Sequence, residues 1–442
     1  MAFPNFASIT KVPELRKRLL FTLMMLSIYR VGVFITTPGI DRNVMRSVVQ
    51  RQSGGLLGMF NLFTGGALEN LSIFALGIMP YISSSIIIQL LGTVYKPIEE
   101  MRKEGEQGRR KIDQYTRYGT VLLSIFQSFG IAMYLEGLNN NDLGGNRFGD
   151  VVANPGWPFR IMTVITLTTG TAFIMWVGEQ ITERGVSNGI SLIIFAGIVA
   201  DVPSTIFGYA QQNQGNLQPL TVTTLGTILI ATVATVVFFE RGQRRIPIVY
   251  SRRQVGRRIY GGQTAHLPLK VNTSGMIPAI FASSLLMFPA TLANLNVPGM
   301  TFLQGALNRG EWVFNLAYGG LIIFFCFFYT AVTFQPVDVA DNLKKQQANI
   351  PGIRPGKQTA EYIDQVLTRL TFGGALYVAA VCLIPNIVSS MYHVPFRFGG
   401  TSIMIVVGVA LDMASQIESH LIQHNYEGLT GPRTAKVRGR QV

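Results

Sequence analysis

The chain alternates between long apolar runs and short polar or basic stretches. Crossing a hydrocarbon layer takes about 20 mostly apolar residues per helix. Ten runs meet that requirement, with cores near 19–38, 72–94, 118–135, 159–178, 189–208, 221–239, 274–294, 313–334, 371–390 and 398–417. The pattern predicts an all-α polytopic membrane protein with ten transmembrane helices. A polar stretch, AQQNQGNLQPLT at 209–220, divides the spans five and five. Two halves with the same odd number of spans must lie in opposite orientations, which is the arithmetic of an inverted repeat with a functional site at the interface between halves. The expected organisation is an N-terminal half at 1–208, an external hinge at 209–220, a C-terminal half at 221–426 and a tail at 427–442.

Between the first two spans, LLGMFNLFTGGALEN at 56–70 is too short to cross a bilayer and too apolar for an ordinary loop. It reads as a half-helix folded back into the protein, where neighbours satisfy its backbone; an interfacial helix on the outer surface is the alternative. Two other connections are long enough to protrude. Residues 240–270 contain the alternating pieces IPIVY and RRIYGG around an arginine cluster and predict a β-hairpin. Residues 335–370 combine PGIRPG with a helical stretch, TAEYIDQVLTRL.

Several spans are apolar without being uniform. In IMPYISSSIII, helical spacing puts Ile78, Ile82, Ser85 and Gln89 on one face. Polar side chains are costly in lipid, so that face should meet protein or water. Ile190 and Ile194 in NGISLIIFAGI, and Ile280 followed by Ser283 and Ser284, repeat the pattern. Serine acting as interhelical glue explains any one such face. Several together would build a narrow apolar constriction able to gate an aqueous pore by dewetting. Pro80 suits a helix start near the preceding half-helix.

Composition agrees with a membrane protein: 48% of residues are hydrophobic and 14% charged, and mean hydropathy is +0.33. The net charge of +14 is placed asymmetrically, with 29 of 37 Lys and Arg on one set of loops and termini. The positive-inside rule then puts both termini in the cytoplasm, which an even number of spans also requires. The first apolar run lacks a small-x-small cleavage site and reads as a retained span.

Chemistry is sparse. GIRPGKQ at 352–358 resembles a phosphate loop, but its glycine spacing is one residue short and Gln358 stands where Ser or Thr should be. His420 and His424 have i, i+4 spacing without a third ligand, and a solvated helix face accounts for them. Cys326 and Cys382 fall inside spans as small hydrophobes. Gly185 and Gly189 suit either close helix packing or a turn with a helix cap. Arg30, Glu179, Glu240 and Asp412 lie toward span ends, where side chains can snorkel. No catalytic site, metal or cofactor is expected. A passive channel and an ion-coupled secondary transporter of a small solute both stay open at this point, with an intramembrane enzyme least supported.

Seven segments in order between about Leu15 and Asp412 then carry a resemblance: IFALGIMPYISSSIIIQLL, KEGEQGRRKIDQYTRYG, WVGEQITERGVSNGISLIIFAGI, FFERGQRRIPIVY, HLPLKVNTSGMIPAIFASS, ADNLKKQQANIPGIRPGKQTAEYID and VPFRFGGTSIMIVV. Together they resemble the SecY/Sec61-alpha family. The resemblance implies ten helices in two inverted pseudo-symmetric halves with a short re-entrant plug helix. It implies a channel that passes unfolded secretory proteins across the bacterial cytoplasmic (inner) membrane and releases membrane helices laterally, driven by the motor ATPase SecA or the ribosome. It also implies small subunits SecE and SecG, signal sequences and translocating polypeptides as clients, and lipid around the gate.

Site residues follow from the same resemblance. The pore ring maps to Ile78, Ile82, Ile190, Ile194, Ile280 and Ile405. The lateral gate, between spans two and three on one side and seven and eight on the other, includes Ser83, Gln89, Gln127, Ser284 and Phe288. The plug at 56–70 includes Leu57, Met59, Phe60, Asn61 and Phe63. Arg257, Arg258 and Arg354 fall where cytosolic partners bind. The external loop at 136–150 and the tail match nothing in the family pattern.

Overall fold

The structure, a computed structural model, describes residues 12–51, 61, 63–140, 151–212, 219–250, 253–255, 258–260, 264–293, 312–391 and 399–430. Ten helices fall on the ten expected spans: α1 (Pro13–Gly32), α3 (Met79–Val94), α5 (Glu106–Asn140), α6 (Trp157–Arg184), α7 (Gly189–Gln212), α8 (Pro219–Arg241), α9 (Ile277–Ala293), α10 (Trp312–Thr333), α12 (Lys357–Met391) and α13 (Gly400–Thr430). Three short helices lie between them: α2 (Arg42–Arg51), α4 (Lys96–Lys103) and α11 (Pro336–Lys345). Among the described residues five helices are long and apolar enough to cross a membrane alone, while Met79–Val94, Gly189–Pro203 and Ile277–Leu286 are shorter apolar pieces.

Neighbour relations repeat between the halves. In the first half α3 packs on α5, α5 on α6, α6 on α7, and α1 on both α6 and α7. In the second α9 packs on α10, α10 on α12, α12 on α13, and α8 on both α12 and α13. Each contact has its counterpart five spans later, as an internal repeat requires. The halves meet along two seams, α3 and α5 against α9, and α7 against α13.

The exterior carries the apolar girdle that lipid demands. Leu23, Phe126, Ile165, Phe238, Leu316 and Phe372 are all exposed large hydrophobics on spans. Trp157 and Trp312 stand exposed at the first residues of α6 and α10, the amphipathic position that tryptophan takes at a membrane interface.

Three boundaries differ from expectation. The second span starts at Met79 rather than near 72, with Pro80 in its first turn, where the missing N–H costs no hydrogen bond. Residues 64–78 ahead of it are a buried run of turns, because Gly65, Gly66 and Gly77 take φ of 64°, 82° and 57° and Leu71 takes 40°. That conformation suits glycine and cannot continue a helix. The expected half-helix is therefore mostly turns over its described part, and residues 52–60, with Leu57, Met59 and Phe60, lie outside the described residues. Helix α5 runs to Asn140, so the expected external loop begins later than 136; residues 141–150 lie outside the described set, as do hinge residues 213–218 and tail residues 431–442.

The two long connections, 240–270 and 335–370, form a body of their own over their described residues. Strand β1 (Gln243–Tyr250) pairs antiparallel with β4 (Thr264–Lys270), from Gln243 opposite Lys270 to Val249 opposite Thr264. Its other side takes β5 (Ala348–Asn349). The hairpin is thus present, but IPIVY pairs with the segment before Lys270 rather than with RRIY. The latter forms β3 (Arg258–Tyr260), which closes a small tip hairpin with β2 (Arg253–Val255). Ile246, Ile248, Leu269, Leu343, Ile350, Ile363 and Leu367 make a separate apolar core beneath the sheet. The stretch TAEYIDQVLTRL is the first part of α12, continuous with the ninth span.

Candidate functional site

The six isoleucines are carried by four helices, two from each half. Ile78 caps the N-terminus of α3 and Ile82 follows one turn later. Asn188 caps α7 with its side-chain oxygen on the N–H groups of Ile190 and Ser191, at 3.0 and 3.3 Å, which sets where Ile190 and Ile194 stand. Ile280 sits on α9 and Ile405 on α13. Ile78, Ile82, Ile194, Ile280 and Ile405 are buried in one apolar cluster, and the half-buried Ile190 packs against it.

Helix α3 packs directly on α9. The described side-chain link across this seam is the Ser284 hydroxyl donating to the Met79 sulfur at 3.6 Å, a soft acceptor. Gln89 donates to the Ser85 hydroxyl at 3.2 Å, yet the side-chain carbonyl oxygens of Gln89 and of Gln127 on α5 are buried and accept no hydrogen bond among the described residues. Leaving such acceptors unpaired costs on the order of 1–3 kcal/mol each. Ser83 is half-buried, and Phe288 is placed on α9. Arg102 of α4 donates to the Val332 carbonyl at the end of α10, bridging the halves. The serine triplet resolves into separate tasks. Ser84 is buried and donates to the Thr116 carbonyl at 2.9 Å, fastening α3 to α5, whereas Ser85 holds Gln89.

The turn-rich segment after Asn61 contributes Phe63, Leu68 and Leu71 to the same apolar cluster. Asn61 and Phe63 are buried, and the Asn61 side-chain oxygen accepts the Glu69 N–H at 2.9 Å. Tyr29 and Arg30 of α1 donate to the carbonyls of Thr64 and Gly65, at 3.1 and 2.9 Å. A Cβ on Gly65 would meet the Gly197 Cα of α7 at 2.6 Å, so two backbones touch there. Arg30 therefore turns inward rather than snorkelling. Sequence reasoning missed Tyr29, Gly197, Met79 and Arg102; the GlyGly pair and an arginine inside a span were the signals that pointed toward the first two.

The other charged groups near the spans also have protein partners. Arg117 donates to Glu179 at 2.7 Å, Glu240 accepts from Asn272 at 2.6 Å, and Asp412 accepts from Ser187 at 2.8 Å. Fully buried polar residues among those described are Thr, Ser and Asn only. Gly185 ends α6 and Gly189 opens α7 against the Gly178 carbonyl, so that pair serves as both turn and close contact. No group of metal-ligating residues occurs among the described residues.

Arg354 is exposed on the loop before α12, its carbonyl accepting the Thr359 hydroxyl at 2.9 Å. Arg258 stands in β3, and Arg257 lies outside the described residues. The β1 to β5 pairing puts both cytosolic loops on one body.

Comparison with known proteins follows the same outline. The SecY family model matches residues 72–414. The protein translocase subunit SecY of Escherichia coli K12 is 52% identical over 97% of this chain and 96% of its own length. That of Vibrio cholerae is 49% identical over 97% and 96%. Among solved structures, one described as a protein conducting channel aligns with TM-score 0.63 at 18% identity, covering 97% of this chain and 99% of its own. Sec61 in the canine ribosome-channel complex aligns with TM-score 0.60 at 18% identity, over 97% and 99%.

Proposed function

This chain belongs to the SecY family, and we propose on that premise that its isoleucine cluster is the constriction of a protein-conducting channel through which unfolded secretory chains cross and from which membrane helices leave sideways. The observation that supports the reading is that these six isoleucines, carried by four helices, two per half, all belong to or pack on the apolar core shared by the spans of both halves. A conduit for chains of any sequence must hold none of them firmly, and deformable apolar side chains close around a chain while excluding ions. An ion-coupled transporter needs a buried ionisable group to carry its ion. The fully buried polar residues described here are uncharged, which favours the channel.

The remaining parts take roles consistent with this reading. The segment 56–70 acts as the plug, as in the solved relative whose plug domain stabilises the closed state and maintains a membrane seal. The α3 to α9 seam, with Ser83, Gln89, Gln127, Ser284 and Phe288, is the lateral gate onto lipid. The cytosolic body carrying Arg258 and Arg354, with Arg257 beside it, receives the motor ATPase SecA or the ribosome. SecE and SecG complete the complex in the bacterial inner membrane, with both termini in the cytoplasm.

The test is photo-crosslinking from positions 82 and 280 to a stalled secretory chain in membranes. Crosslinks to the chain are expected at both, and their absence at both would defeat the channel reading.

A further inference from the structure

The two seams between the halves are built from different chemistry. At the α3 to α9 seam the described side-chain bond is the Ser284 hydroxyl on the Met79 sulfur. At the α7 to α13 seam the turn leading into α7 is bonded to α13 by a closed polar triad. Ser187 donates its N–H to the Gln416 side-chain oxygen at 2.9 Å and its hydroxyl to Asp412 at 2.8 Å. Gln416 donates to the same Asp412 oxygen at 3.1 Å. Ser187 holds φ at 68°, a left-handed conformation that a serine adopts only when its surroundings compensate. The next residue back, Val186, donates its N–H to Thr22 of α1 at 3.2 Å and is buried with Leu15 and Ile417. The turn is thus fastened on both sides.

Position along the helices gives the triad its meaning. Ile405, Asp412 and Gln416 are related as i, i+7 and i+11, so they share one face of α13, and α7 is the helix packed there. On the other partner Ser187 lies three residues before Ile190, with only the capping Asn188 and Gly189 between. The triad therefore sits about two helical turns below Ile405 and at the root of the helix that bears Ile190 and Ile194.

We propose that Ser187, Asp412 and Gln416 are positioning residues. They lock the axial register of α7 against α13, so that the isoleucines contributed by opposite halves stay level. The inference rests on the constriction reading above and adds which residues hold the register between the halves.

The experiment uses the full complex with its small subunits, reconstituted into planar bilayers, with spin labels at Arg184 and Ser419 for distance measurements in the same preparations. Both label sites are exposed. Asp412→Ala should broaden the distance distribution and raise resting ion leak about tenfold, the consequence of losing one charge-assisted hydrogen bond. Asp412→Asn keeps an acceptor oxygen and should stay near the parent in both readouts. Ser187→Gly, which removes the hydroxyl while relieving the left-handed backbone, should fold well and still leak, a result that a purely structural role for the serine would not produce. An unchanged distance distribution in Asp412→Ala overturns the proposal. So does leak in Ile405→Asn without leak in Asp412→Ala. Absence of leak in both defeats the constriction reading itself, and the label distances then decide the joint alone.

Discussion

Replacing Gly65 by alanine tests how the turn-rich segment is held. Gly65 has φ of 64°, and an added Cβ would fall 2.6 Å from the Gly197 Cα, a backbone atom that cannot rotate away. The left-handed conformation costs a non-glycine residue about 1–2 kcal/mol. Reaching ordinary carbon–carbon contact requires the segment to withdraw by roughly 1 Å. That displacement breaks the bonds from Tyr29 to the Thr64 carbonyl and from Arg30 to the Gly65 carbonyl. A neutral bond contributes about 1 kcal/mol net and a charged one about 1.5–3. These values are already net of exchange with water, so together the terms come to about 3.5–6 kcal/mol against the closed arrangement. At 1.4 kcal/mol per decade, the closed-to-open ratio falls by roughly a hundredfold or more. Resting conductance of the reconstituted complex without substrate measures this directly. A Gly65→Ala complex that assembles normally and conducts no more than the parent would refute the argument that this contact seats the proposed plug.

Two further predictions concern packing. A Cβ on Gly119 would lie 2.3 Å from the Ser84 hydroxyl oxygen, so Gly119→Ala should displace that hydroxyl from the Thr116 carbonyl and cost about 1–2 kcal/mol. Adding Ser84→Ala should restore part of the loss, and a double-mutant cycle by thermal unfolding in detergent that proves additive would contradict the contact. Ile363 is fully buried in the cytosolic core, so Ile363→Ala should cost about 2–4 kcal/mol there. Limited proteolysis should accelerate within 251–263 and 350–356 while the spans stay protected; equal acceleration throughout would show that the cytosolic body has no separate core.

The elements legible from sequence were those that depend on composition along a single helix. Each of the ten spans was visible because burial in hydrocarbon acts on every residue of a run. The isoleucine faces were visible because helical spacing groups them before any partner is known. The partners were not. IPIVY showed alternation, but its pairing with the stretch ending at Lys270 depends on closure of a loop whose register alternation does not specify. The segment 56–70 read as a half-helix because its apolar content dominated, whereas its glycines at positive φ decide its path. Arg30 and Asp412 read as snorkelling charges since a single helix offers no other way to place them.

Sequence alone determined the membrane class, the count of the spans, and the family, since hydropathy and ordered motifs are properties of the chain itself. Tertiary structure decided which polar groups are satisfied and which are not. It set Ser84 on α5 rather than in the seam, joined two cytosolic loops through β5, and brought Ser187 to Asp412 across 225 residues of chain. Those outcomes turn on hydrogen bonds and close backbone contacts between distant segments. Such contacts exist only once the helices have packed, and the residues making them carry no local periodicity by which they could be read beforehand.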